Sequence, residues 1–139
     1  MGKRERYRDN PDPDLQAWGR KYRSFPRVDE CIRLILAGKA LGSWADIVVY
    51  ELADNARDHL QELINAFRKH ASDGAADYLL MALEIAALPE SVDFYSDLLF
   101  EKNPRFVPYA ERALQAINTR EARAALFHAR QASKNEDRR

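Results

Sequence analysis

Apolar residues at helical spacing recur in seven short stretches between Val28 and Ala129, and the stretches pair off with a period of about 31 to 34 residues. Such a period marks an array of helix pairs, because one amphipathic pair cannot bury its apolar stripe alone and the next pair covers it. The first stripe is Val28, Cys31, Ile32, Ile35 and Leu36, spaced i, i+3, i+4, i+7 and i+8 as on one face of a helix. Gly38 supplies its C-terminal stop. Ser43 then serves as N-cap for a second helix with the stripe Ala45, Val48, Val49, Leu52 and Ala56. A connection this short makes the two helices antiparallel neighbours.

The third stripe, Leu60, Leu63, Ile64 and Phe67, repeats the first at a shift of 32 residues, and the fourth, Ala76, Leu79, Leu80 and Leu83, repeats the second at 31. Ser72 or Asp73 caps the fourth helix, and Leu88 with Pro89 ends the pair. The third pair is looser. Its first helix, Glu90 to Lys102, has two inward sets, Val92, Tyr95 and Leu99 or Phe94 and Leu98. Its second opens at Asn103-Pro104, with Phe106, Ala110, Ala113, Leu114 and Ile117 on one face. Pro108 falls in the first turn of that helix, where few backbone donors have partners. A seventh helix starts at Thr119 and carries Ala122, Ala125, Leu126 and Ala129, a small face suited to an end that is covered on one side only.

Residues 1–26 lack this periodicity. They are expected to form a basic arm over residues 1–9 and a short helix from Asp14 to Tyr22, with Trp18, Tyr22 and Phe25 folded over the end of the first pair. Ser133 to Arg139 contains no apolar residue and is expected to fray. The chain thus divides into an N-terminal arm and cap (1–26), a helical-repeat domain (27–132) and a flexible tail (133–139).

Only 5 Gly and 6 Pro among 139 residues argue against a chain of many tight β turns. The N-terminus has no apolar signal region, and the apolar run Tyr78 to Leu83 is far short of the ~20 residues that cross a bilayer. A cytoplasmic protein with no membrane association is expected. Cys31 lies on an apolar face as a buried, reduced thiol. Charge is balanced at 22 basic and 22 acidic residues, yet residues 1–27 carry +4, residues 28–102 carry −8 and residues 103–139 carry +4. An acidic middle flanked by basic ends biases which partners approach each part of the surface.

The densest acidic group is Glu51, Asp54, Asp58 and Glu62, with His59 among them. If the second and third helices run nearly continuously, these carboxylates share one face. The cluster suits a solvated helix face, a docking surface for a basic partner, or a divalent metal. It lacks the His-x-x-x-His or Glu-x-x-His spacing of a metal-binding helix, so no metal or cofactor is expected. Trp44, Ile47 and Tyr50 fall off the main stripe of the second helix and either pack on a neighbour or form an aromatic hot spot beside Asp46 and Glu51. His59, His70 and His128 have no serine or cysteine recognisably paired with them, so no catalytic residue is assigned. Arg105, Arg112, Arg120, Arg123 and Arg130 form a candidate basic edge interrupted by Glu111 and Glu121.

The period, the Asp73-Gly74 and Asn103-Pro104 turns, and the pairs Ala82-Leu83 and Ala113-Leu114 give the chain a pattern that resembles small HEAT-like helical repeats. It departs from them at Val107-Pro108, where such repeats carry Val-Arg. The resemblance implies an all-α fold, a short right-handed α-solenoid of antiparallel helix pairs, with about seven helices plus the short N-terminal one. It also implies a non-catalytic protein-binding module, and the size suggests a bacterial immunity or antitoxin-like inhibitor. Such an inhibitor is expected to hold a basic toxin through Trp44, Glu51, Asp54, Asp58 and Glu62, electrostatically steered. The alternative is a nucleic-acid-binding accessory protein that uses the five arginines.

Overall fold

The computed structural model describes residues 12–40 and 42–137, and every regular element among them is helical. The α-helices are α1 (Pro13–Lys21), α2 (Val28–Leu36), α3 (Ser43–Asp54), α4 (Leu60–Lys69), α5 (Ala75–Ala86), α6 (Val92–Glu101), α7 (Val107–Ile117) and α8 (Arg120–Asp137). A single 3-10 turn, Pro89–Ser91, precedes α6. The first helices of successive pairs begin at Val28, Leu60 and Val92, and the second helices at Ser43, Ala75 and Val107, in each case 32 residues after the last. The basic arm expected over residues 1–9 lies outside the described residues.

Local chemistry sets most of these boundaries. Asp12 Oδ1 accepts the Asp14 N–H at 2.8 Å, and Pro13 occupies the first helical position of α1. Asp73 Oδ1 accepts the Ala75 N–H at 2.9 Å, so Asp73 rather than Ser72 holds the start of α5. Thr119 Oγ1 receives the Ala122 N–H at 3.1 Å and starts α8. Each bond satisfies a donor that the first helical turn leaves without a partner. Gly38, at φ 72°, ends α2 in the left-handed conformation that glycine adopts without steric cost.

Four local expectations are corrected. Ser43 is the first residue of α3, and Gly42 at φ 55° takes the cap position. Asn103 and Pro104 form a turn, in which Asn103 Oδ1 accepts the Arg105 N–H at 3.0 Å, and α7 begins only at Val107. The segment from Ser133, expected outside the helical domain, is part of α8 as far as Asp137, and Lys102, the residue after α6, forms an ion pair with Glu136. Leu36 is 52% exposed while Leu34 is buried, because Leu36, the last residue of α2, lines the open groove between α2 and α4.

The chain divides into two compact units, residues 1–79 and 80–139. In the first unit α1 and α2 both pack on α3, and α2 also meets α4. Its core includes Trp18, Val28, Cys31, Leu34, Val48, Leu52, Leu63 and Phe67. The cap residues Trp18, Tyr22 and Phe25 take different roles: Trp18 is buried, Tyr22 is half-buried with its ring 4.6 Å from Trp18, and Phe25 lies 5.2 Å from the His59 ring.

In the second unit α6, α7 and α8 each pack on the other two. The two inward sets of α6 are both buried, Val92, Tyr95 and Leu99 together with Phe94 and Leu98, since α6 has neighbours on more than one side. Tyr95 is fully enclosed and its hydroxyl finds no hydrogen-bond partner among the described residues. Burial raises the affinity of that hydroxyl for its proton, with the Glu84 carboxylate adding to the effect. A buried hydroxyl without a partner carries a desolvation cost. Tyr95→Phe is therefore expected to leave stability unchanged or raise it by about 1 kcal/mol, read as the midpoint of urea unfolding.

Candidate partner-binding surface

Helix α3 separates inward from outward residues cleanly. Ile47, Val48, Val49, Glu51, Leu52 and Ala53 are buried, whereas Asp46, Tyr50 and Asp54 are exposed. The exposed three are spaced i, i+4 and i+8, which stacks them along one side of the helix. Tyr50 is 54% exposed, a large aromatic ring presented between two carboxylates.

The five residues expected to bind a partner are not brought together on this surface, and Glu51 is the clearest correction. Its side chain is fully buried, and its Oε1 accepts the Trp18 indole N–H at 2.8 Å. The Asn55 amide donates to the Glu51 carbonyl at 2.8 Å and to Oε2 at 3.4 Å. A buried carboxyl group is tolerated when hydrogen bonds replace its water, and here the donors include an indole 33 residues earlier and the residue that caps its own helix. Glu51 is thus a structural clamp between α1 and α3. Trp44 is corrected in part: it is half-buried, edge-on to Trp18 at 5.4 Å between ring centroids, and faces α1.

The other three carboxylates are exposed but do not share one continuous helix face. Helix α3 ends at Asp54, and residues 55–59 turn before α4 begins at Leu60. Asp58 lies in that turn. Glu62 approaches His59, with Oε2 3.1 Å from Nδ1, and lines a groove between α2 and α4 with Ile32 and Arg33. Among the described residues no three of His, Cys, Asp and Glu converge as ligands for a metal ion.

Of the five arginines, three have local roles. Arg112 donates to Glu84 at 3.0 Å and lies over the Tyr109 ring at 4.9 Å. Arg123 donates to the Asn118 carbonyl at 2.8 Å, satisfying the end of α7. Arg105 lies over the Phe106 ring at 5.1 Å. Arg120 and Arg130 are exposed on α8.

Cys31 is buried next to this machinery. Burial pushes its thiol up to about 12 from 9.0, and the carboxylates of Glu51 and Glu30 add to the shift. The thiol is accordingly protonated and unreactive in the folded chain. A thiol-exchange reagent at neutral pH is expected to leave Cys31 unmodified until urea unfolds the first unit; prompt labelling of native protein would contradict its burial. The same shift links stability to alkaline pH. Above 9.0 the unfolded chain loses this proton while the folded chain keeps it, so the contribution is full below pH 9 and declines as pH rises toward about 12.

No helix among the described residues is long and apolar enough to cross a membrane. Comparison with protein-family models, curated proteins and solved structures finds no match to this chain.

Proposed function

We propose that this chain is a non-catalytic protein-binding module, a short α-solenoid of HEAT-like helix pairs that docks a partner on the outward side of α3. The observation that carries the reading is Tyr50, 54% exposed with Asp46 and Asp54 one helical turn to either side. A rigid aromatic side chain is a frequent energetic anchor of protein interfaces, and flanking charges steer the encounter and select the partner. The recurrence of helix starts at 32 residues supports the repeat architecture.

The partner is a basic protein, and the biological role is that of a bacterial immunity or antitoxin-like inhibitor that holds a basic toxin in the cytoplasm. Asp54, Asp58 and Glu62 are the exposed carboxylates that would meet that partner, whereas Glu51 acts behind them as the clamp that fixes α3. Reversing the charges of Asp54, Asp58 and Glu62 together is expected to weaken capture of the partner from the native host and to flatten its salt dependence. Capture that is unchanged in both respects contradicts the acidic surface.

A further inference from the structure

The second unit contains a groove of about 600 Å³ formed by α6, α7 and α8. Its apolar lining includes Leu99 from α6, Val107 from α7, and Leu126 and Ala129 from α8. Along α8 the lining continues as Arg130, Ser133 and Lys134, so the residues facing the groove follow the i, i+3, i+4, i+7, i+8 spacing of one helix side. This side stays open because α8 has 18 residues and α7 only 11, so the last turns of α8 run past the end of its neighbour.

Two exposed cations stand over this apolar surface. Arg130 and Lys134 are exposed, neither side chain has an ion-pair or hydrogen-bond partner among the described residues, and their spacing of four residues places like charges side by side on the helix. Lys102 lines the same end and is held there by its ion pair with Glu136. Glu111 approaches from α7, one turn beyond Val107. With Lys102 paired to Glu136, the lining carries Arg130 and Lys134 against the one carboxylate of Glu111, so the groove is net positive, with Lys134 at one end of its α8 side and the apolar Leu126 at the other. That end-to-end polarity complements a head-and-tail molecule, and the volume falls among small-molecule sites of roughly 300–1,000 Å³.

The geometry points to a binding site for a free single-chain amphiphile with a carboxylate head: the alkyl chain lies on Leu99, Val107, Leu126 and Ala129, and Arg130 and Lys134 receive the carboxylate. The site uses none of the α3 surface, so it stands or falls independently of the protein partner. Isothermal titration of the full chain with octanoate, decanoate and dodecanoate, each below its micellar concentration, tests it. Saturable binding of one molecule is expected, tightening about twofold to fourfold per methylene as apolar area is buried, with dodecyltrimethylammonium weaker by about tenfold or more. Arg130→Gln with Lys134→Gln should weaken dodecanoate binding by about tenfold. Ala129→Phe, which fills the groove, should abolish it, with circular dichroism confirming that each variant is folded. Equal binding of the cationic and anionic amphiphiles, undiminished binding by the folded variants, or binding only to phosphatidylglycerol vesicles and not to free dodecanoate would overturn the site.

Discussion

Trp18→Ala should destabilise the first unit by about 3–5 kcal/mol, the range for removing a large buried aromatic side chain. Trp18 is fully buried, its ring lies edge-on to Trp44 at 5.4 Å, and its indole N–H is donated to the buried Glu51 carboxylate. The substitution removes the packing of α1 on α3 and also takes one donor from a carboxylate that has no access to water. Trp18→Phe preserves much of the ring volume but not the N–H, so its smaller loss, about 1–3 kcal/mol, reports mainly the hydrogen bond to the buried Glu51 side chain. The readout is urea unfolding followed by fluorescence of Trp44 in the variants, since the chain has 2 tryptophans and both lie in the first unit. A loss below about 1 kcal/mol for Trp18→Ala would mean that α1 contributes little to the folded first unit.

The second large effect belongs to the surface. Tyr50→Ala is expected to reduce affinity for the protein partner by about 30-fold or more, the consequence of losing an anchor worth about 2 kcal/mol, while leaving stability within about 0.5 kcal/mol because the ring is more than half exposed. Asp46→Lys with Asp54→Lys should act mainly on the rate of association, with the largest slowing at low salt, because exposed charges steer encounter more than they hold a complex. Surface plasmon resonance at two ionic strengths separates the two effects. A Tyr50→Ala variant that binds as tightly as the parent would remove Tyr50 from the interface.

Helix positions were legible in the sequence because apolar spacing and capping chemistry agree. The stripe through Cys31 and Ile32, the cap at Asp73 and the start at Thr119 all appear where a 3.6-residue period and a side-chain oxygen place them. What was not legible was the destination of polar side chains. Glu51 reads as one of four surface carboxylates, yet it folds inward because Trp18, 33 residues earlier, supplies a donor. No local pattern announces a pairing across that distance. A shared face for the four carboxylates requires α3 and α4 to run nearly continuously, whereas the turn after Asp54 sends Glu62 to the side shared with α2. In α3 a large aromatic could pack or project: Trp44 packs against Trp18 and Tyr50 projects, a choice made by the presence of α1. Of the groove side of α8, only Leu126 and Ala129 belong to the apolar stripe legible in the sequence; Arg130, Ser133 and Lys134 join them because the helix runs on to Asp137, beyond the length of α7.

Site-specific photocrosslinking in the native host tests the proposed docking surface most directly. A photoreactive phenylalanine analogue is placed at Tyr50, and separately at Gln115, an exposed position of α7. The predicted result is one discrete adduct with a basic protein from position 50, lost when Asp46 and Asp54 are changed to lysine, and no such adduct from position 115. The same adduct from both positions, or none from position 50, would contradict the assignment of the outward side of α3 as the partner-binding surface.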